Sequence, residues 1–281
     1  MIRLAEIQDL KQIYHYQLQF SSPYFFPVDY GTWEESFLRD VDGEGRILFQ
    51  ELCVKGAYDD NKLIGFIQYG KTAFGFNDRG AISSDISHCI IRNLYFNENK
   101  ADAGQMLLEE ALNAFVSSDT VYAFFHYFGM SCFARHGKLF ERYTHIENLL
   151  KKNGFAIEHE NVYYSSVLNC DEKSEIDLNL HTLTKGNQQH IDFMLSGSQV
   201  GECELHFLDE KTAYLRWIYV NDALKGKGIG TQCMRAIKSW LYQSGKTRFD
   251  TDTAVMNIVA QHYYEKNRFT REGITRSYYR I

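Results

Sequence analysis

The sequence has no C-x-x-C pair: its six cysteines, Cys53, Cys89, Cys132, Cys170, Cys203 and Cys233, are scattered at long intervals. A chain of 281 residues can bury a core without disulfide staples, so these cysteines are expected to be reduced thiols in a cytoplasmic protein. Positive charge is not in excess either. With 30 Lys and Arg against 36 Asp and Glu, a net charge of -6, the chain lacks the basic surface that nucleic acid or anionic lipid rewards, and neither partner is expected. Long apolar runs are missing as well. The N-terminal stretch MIRLAEIQDLKQIYHYQ has no continuous segment of the roughly 7–15 apolar residues of a secretory signal, and nothing approaches the roughly 20 of a membrane span. Two phosphate-binding patterns are also absent from the chain's most glycine-rich turn. In LKGKGIGTQCM (Leu224 to Met234) Lys227 is followed by Gly228 and not by the Ser or Thr of a Walker loop, and the glycines are spaced G-x-G-x-G, not the G-x-G-x-x-G of a dinucleotide fold.

What is present describes a packed protein. Hydrophobic residues make up 44% and charged residues 23%, with 19 Tyr and 20 Phe, which argues against disorder. The length suits two modest domains.

The second half is the easier to read. His190 to Leu195, Val200 to Leu208 and Ala213 to Val220 are expected as three consecutive antiparallel strands joined by the polar turns SGSQ and DEKT. After the glycines, Met234, Ile237, Trp240 and Leu241 recur at helical spacing, with Gly245 at the C-cap position. The glycines therefore join a strand to a helix. Arg248 to Val255 is expected as a further strand, Asn257 to Asn267 as a short helix with Asn257 at its N-cap, and GITRSYYRI as a last strand.

A helix N-terminus presents backbone N–H groups without intrahelical partners and the positive end of the helix dipole, so it attracts phosphate. Gly226, Gly228 and Gly230 allow close approach of ligand oxygens, and Lys225 and Lys227 add charge. A tight, solvated strand-to-helix connection is the alternative for such a turn.

WIYVNDALKGKGIGTQCM resembles the first signature motif of the GNAT superfamily of N-acetyltransferases, [QR]-x-x-G-x-[GA] between the fourth strand and third helix, with Lys225, Gly228 and Gly230 on the fixed positions. NIVAQHYYEKNRF is similar to the motif that follows it, N-x-x-A-x-x-x-Y-E-K-x-G-F, with Asn257, Ala260, Tyr264, Glu265, Lys266 and Phe269 in register. Two departures stand out: Lys225 replaces Arg or Gln, and Arg268 replaces the glycine before Phe269. The resemblance implies acetyl-CoA as acyl donor, with its diphosphate on the backbone of Lys225, Gly226, Lys227, Gly228, Ile229, Gly230 and Thr231. It also implies pantetheine against the backbone of Ile218 and Val220, and Asn257 among the cofactor-binding residues. Tyr264 falls on the family tyrosine that donates a proton to the leaving thiolate; the alternative is a tyrosine that only packs. Glu204, Asp250 and Asp252 are candidate general bases, or ordinary solvated acids.

The first half echoes the second. IRNLYFNENKADAGQMLLEEALNAF lines up with LRWIYVNDALKGKGIGTQCMRAIKSW, and Lys152-Asn153-Gly154-Phe155 with Lys266-Asn267-Arg268-Phe269. This internal repeat makes a tandem arrangement the expectation: two GNAT-like α/β domains, each a mixed, mostly antiparallel sheet flanked by helices. The first covers 1–168 and the second 177–281, with the boundary in LNCDEKSEID. The first copy is expected to be degenerate. Lys100-Ala101-Asp102-Ala103-Gly104 replaces the glycine turn, adding side chains and a negative charge, and Leu150 stands in place of Tyr264. Its remaining roles are to shape an acceptor cleft, cover a sheet edge or mediate a homodimer. The second copy moves quickly from DLNLHTL to the next strand and lacks the family's first two helices.

The aromatic segment Phe124 to Phe140 is expected in a core or domain interface. His126, His136 and His145 do not share a helical face or complete a set of four ligands, so no metal is expected. The expected function is transfer of acetyl from acetyl-CoA to a primary amine of a small molecule or peptide; the alternative is a non-catalytic acyl-CoA-binding or scaffolding protein.

Overall fold

A computed structural model describes residues 2–7, 9–39, 41, 45–76, 81–115, 120–134, 136–170 and 173–281. It divides into two compact units, Met1–Glu160 with Thr275–Ile281, and Asn161–Ile274.

The first unit runs β1 (Arg3–Glu6), α1 (Leu10–Gln17), α2 (Tyr30–Arg39), β2 (Phe49–Asp59), β3 (Lys62–Thr72), the short hairpin β4 (Gly75–Phe76) and β5 (Ile82–Ser83), and β6 (Cys89–Phe96). It continues with α3 (Ala101–Ala114), β7 (Val121–Ala123), β8 (Leu139–Phe140), α4 (Thr144–Lys152) and the start of β9 (Ala156–Val167). Asp9 caps α1 by accepting the Lys11 N–H at 3.0 Å. Asp60 and Asn61 turn β2 into β3 at φ 46° and 65°, the left-handed pair that a tight hairpin requires. β1, β2, β3 and β6 pair antiparallel in that order, and β7 joins β6 in parallel. Helix α3 buries Ala103, Leu107, Leu108 and Ala111 and packs on β3 and β6. Most of the aromatic segment is core: Phe124, Phe125, Phe128 and Phe133 are buried, whereas Tyr127 is exposed. The buried Arg92 guanidinium braces it by donating to the carbonyls of Phe128, Gly129 and Ser36 at 2.9, 2.7 and 2.8 Å.

The second unit contains the end of β9, then β10 (Leu178–Lys185), β11 (Gln188–Leu195), β12 (Ser198–Phe207), β13 (Thr212–Val220), α5 (Ile229–Gln243), β14 (Arg248–Ala254), α6 (Ile258–Lys266) and the start of β15 (Thr270–Arg280). Its sheet order is β9-β14-β13-β12-β11-β10, antiparallel except where β13 meets β14. Gly186-Asn187 alone separates β10 from β11, so no helices intervene there. Helix α5 presents Cys233, Met234, Ile237 and Leu241 to a core that includes Ile191, Phe193, Cys203, Leu205, Ala213 and Leu215. Met234, Ile237 and Leu241 each contribute about 1.5–3 kcal/mol on burial. Gly245 at φ 84° ends the helix, and Lys246 N–H reaches Leu241 O at 3.0 Å in the expected cap.

Two strands pass from one unit to the other along the chain. β9 begins in the first unit and ends in the second, and β15 does the reverse. The units thus run differently from the expected 1–168 and 177–281, and the reason is strand pairing. Val162 to Val167 of β9 pair with β14, whereas Thr275 to Arg280 of β15 pair with β7 and β8. Of the expected boundary segment, residues 171 and 172 lie outside the described residues. In the first unit Arg276 meets Glu160 at 2.6 Å and Glu147 at 3.1 Å, which fixes the end of β15. Among the described residues no helix is long and apolar enough to cross a membrane.

The repeat is visible atom by atom. In α4 the Asn153 side chain donates to Leu149 O and Phe155 N–H reaches Leu150 O at 3.1 Å; in α6 the Asn267 side chain donates to Tyr263 O and Phe269 N–H reaches Tyr264 O at 3.0 Å. The intervening residue is Gly154 at φ 83° in one copy and Arg268 at φ 62° in the other. The departure from the glycine pattern therefore leaves the turn in place but puts a side chain in a left-handed conformation, at a cost of roughly 1 kcal/mol. Arg268→Gly is expected to raise stability by about 0.5–1 kcal/mol in urea unfolding. A decrease would contradict strain at that turn.

Candidate acyl-CoA site

The site is built where β13 and β14 part. Their parallel ladder runs from Thr212↔Arg248 to Leu215↔Thr251 and stops. β13 continues to Val220 against β12 alone, with Cys203↔Ile218 and Gly201↔Val220. The register of that pair shifts between Glu204 and Leu205, where β13 holds one residue more than β12, and such a bulge bends and twists its strand. The backbone of Ile218 and Val220 thus lies on a stretch that the β14 ladder does not reach, while both side chains pack against the core beneath α5.

Beyond Val220 the chain makes a 3-10 turn at Asp222–Leu224 and then the glycine turn. Gly226 and Gly228 have φ 75° and 81°, and a Cβ on either would meet nothing within 4 Å. Their requirement is conformational, not steric. Gly228 is the left-handed N-cap of α5, and the first turn of that helix carries no acidic residue. Gln232 N–H bonds Gly228 O at 3.2 Å, so the N–H groups of Ile229, Gly230 and Thr231 precede the helical ladder at the positive end of the dipole. Gly230 has a different task. Tyr263 donates to its carbonyl at 2.7 Å, and a Cβ there would stand 3.3 Å from the Tyr263 ring, so the missing side chain lets α6 lock onto the first turn of α5. Lys225 pairs with Asp222 at 2.5 Å and lies over the Tyr219 ring; both partners are exposed, and such a pair contributes little. Lys227 is exposed.

Asn257 caps α6 by accepting the Ala260 N–H at 3.1 Å, so its carbonyl oxygen serves the helix. Tyr264 is buried among Tyr164, Phe269 and Tyr263, with ring centroids 5.6–5.8 Å away.

The three candidate acids occupy different settings. Glu204 accepts from Arg216 at 2.7 Å and Trp217 at 3.2 Å, with His206 3.1 Å away. Burial works to raise its carboxyl, yet Arg216, His206 and Trp217 together hold it below the usual range. Asp250 is fully buried, and burial raises its pKa although Arg248 and Tyr163 oppose the shift. Tyr163 donates to it at 2.7 Å and Arg248 at 2.8 Å. Asp252, one residue past the last β13–β14 pair, accepts from Tyr214 and Asn161, both at 2.8 Å. Tyr163, Tyr214 and Asn161 were not identified from sequence. Their alternation along strands is readable, but the register that sets them against Asp250 and Asp252 is not.

In the first unit the corresponding helix α3 begins at Lys100 without a left-handed cap, carries Asp102 in its first turn, and ties Lys100 to Asp59 at 2.8 Å. Gly104 is there for packing: a Cβ would come within 2.6 Å of the Phe96 ring. Leu150 is fully buried.

The three histidines considered for a metal are engaged separately: His126 with Glu158 at 3.2 Å, His136 with the His126 carbonyl and His145 with the Phe96 carbonyl. Elsewhere His190 Nε2 lies 3.2 Å from Asp192 and 3.5 Å from Glu202, a trio on β11 and β12 whose ligand-type atoms all lie within 4.8 Å of one another.

Residues 156–269 match the model of the acetyltransferase (GNAT) family, and this part of the chain is a GNAT domain. Solved structures extend the likeness to the whole chain. A tandem GNAT protein from the clavulanic acid biosynthesis pathway aligns with a TM-score of 0.64 at 10% identity over 99% of this chain and 98% of its own. An acetyltransferase of the GNAT family from Colwellia psychrerythraea aligns at 0.54 and 13% over the same shares. A GCN5-related glucosamine N-acetyltransferase region of a fungal multi-domain β-N-acetylglucosaminidase aligns at 0.63 and 11% over 99% of this chain and 38% of that one. At these identities the likeness is one of fold, and the fold is a tandem GNAT arrangement. No curated protein sequence matches the chain.

Because the folded Glu204 carboxyl titrates below its unfolded value, near 4.3, its stabilisation is present above that pH and is lost as pH falls through the folded pKa. Glu204→Gln is expected to be less stable than the native protein near neutral pH, with the difference shrinking around pH 3. Urea unfolding at both pH values checks this, and a pH-independent difference would contradict it.

Proposed function

We propose that the second unit is a cytoplasmic N-acyltransferase that moves an acetyl group from acetyl-CoA to a primary amine of a small molecule or peptide, without a metal. One observation carries the reading: a left-handed Gly228 cap directs the N–H groups of Ile229, Gly230 and Thr231 outward where β13 leaves β14. A diphosphate fits this arrangement, because the donors are preorganised at a dipole end and no acidic side chain competes in the first turn. The parted edge of β13 offers the peptide groups around Ile218 and Val220 to the amides of pantetheine.

Direct attack is the simplest chemistry for such a site. The amine nitrogen adds to the thioester carbonyl, the C–S bond breaks, an amide forms, and one proton must leave the nitrogen while another reaches the thiolate. Tyr264 is the proposed donor of the second proton. Asp252, through its contact with Tyr214, is the candidate acid nearest the split along its strand and the proposed acceptor of the first. The packing of Tyr264 between Tyr164 and Phe269 also suits a purely structural tyrosine, as in a protein that binds acyl-CoA without turnover.

Release of free CoA from acetyl-CoA with a panel of amines separates the two. Tyr264→Phe is expected to lower kcat by about 10²-fold while leaving the acetyl-CoA Kd unchanged. Gly228→Ala, which forces a side chain into φ 81°, is expected to weaken acetyl-CoA binding at least about tenfold. Binding without turnover for any amine would favour the scaffold reading.

A further inference from the structure

Between α5 and the end of α6 lies a cavity of about 190 Å³ lined by Thr231, Arg235, Lys266, Asn267 and Arg268. Lys173 and Glu175 complete its wall. Its charge runs against that of the chain, which carries a net -6: four cations face one anion. That anion has a structural task, because Glu175 accepts from Arg235 and from Gln232, which ties the Arg235 side chain to the segment before β10. Lys238 and Asn267 fix the floor. The buried Lys238 ammonium donates to Asn267 O at 2.6 Å and to Ser166 at 2.9 Å, and the Asn267 side chain is held by Tyr263 O at 2.7 Å. Asn267, between the cations Lys266 and Arg268 in the wall, is thus held on both its main chain and its side chain.

Position narrows what could sit there. Thr231 belongs both to this cavity and to the first turn of α5, and Arg235 follows one turn later, roughly 6 Å along the axis. Thr231, which lines the cavity, also carries one of the N–H groups assigned to the diphosphate. Two guanidinium groups and two ammonium groups suit a compact dianion, which Arg grips in bidentate fashion and Lys as a point charge.

We propose that this cavity binds a phosphomonoester dianion, and that its source is the 3′-phosphate on the ADP end of CoA. The assignment rests on the acyl-CoA reading above. Inorganic phosphate offers the same chemistry, so the test must tell the two sources apart.

The test is calorimetric titration of the full chain at low ionic strength with CoA, 3′-dephospho-CoA and inorganic phosphate, for the native protein and for Lys266→Gln combined with Arg268→Gly. That second substitution places glycine where φ is already 62°, so the fold is retained. The native protein is expected to bind CoA about tenfold tighter than 3′-dephospho-CoA. In the double variant that ratio falls to near one, with the 3′-dephospho-CoA affinity unchanged. Equal native affinities, or a ratio that survives the substitutions, would overturn the proposal while leaving the diphosphate site intact. Phosphate binding that CoA does not displace would overturn the CoA source. If neither nucleotide binds the native protein, the acyl-CoA reading itself fails.

Discussion

The parting of β13 from β14 after Leu215 and Thr251 is the constraint from which the rest of the proposed site follows. A sheet whose strands stay paired has no backbone edge to offer a ligand in its middle. Here the extra residue in β13 opposite Glu204 and Leu205 adds twist and turns the strand away. The consequence is a stretch of main chain around Ile218 and Val220 beside the start of α5. The glycine turn then bends the chain into α5, so that the first N–H groups of the helix follow closely on that stretch of main chain. Neither feature alone makes a ligand site; each acquires a function from the other.

The two copies differ in few places around the proposed donor site. Both have a strand, a helix, a further strand and a capped helix, and the turn after the last helix is hydrogen-bonded alike at Phe155 and Phe269. They differ at the start of the second element. Gly228 takes φ 81° in one, whereas Lys100 caps its helix at φ -123° and Asp102 adds a negative charge in the other. The helix dipole proposed to attract a diphosphate in the second unit is met in the first unit by a carboxylate instead. Arg268 shows the converse economy. Strain of roughly 1 kcal/mol is retained at a turn that a glycine would relax, and the same side chain lines the basic cavity.

Much of this was legible in the sequence. The three-strand meander, the helix ending at Gly245, the Asn257 cap and the repeat all follow from local signals: alternation, helical spacing, capping residues and turn glycines. The bare turn at Gly226 to Gly230 was readable because glycine requirements are local. What was hidden is non-local. Nothing in the letters of β9 or β15 says that one strand can serve both units, because a strand records which face is buried and not which neighbour it meets. The partners of Asp250 and Asp252 were hidden for the same reason, as they arrive from β9 and β13 through register. The basic cavity escaped notice because Lys173, Arg235, Lys266 and Arg268 are spread over almost a hundred positions, and in a chain of negative net charge composition gives no hint of them.

A structure of the chain with coenzyme A would test the central claim most directly. The diphosphate should rest on the N–H groups of Ile229, Gly230 and Thr231, with pantetheine running along Ile218 and Val220. A turn left bare by a bound ligand lodged elsewhere, or a chain that takes up no coenzyme A at millimolar concentration, would contradict it.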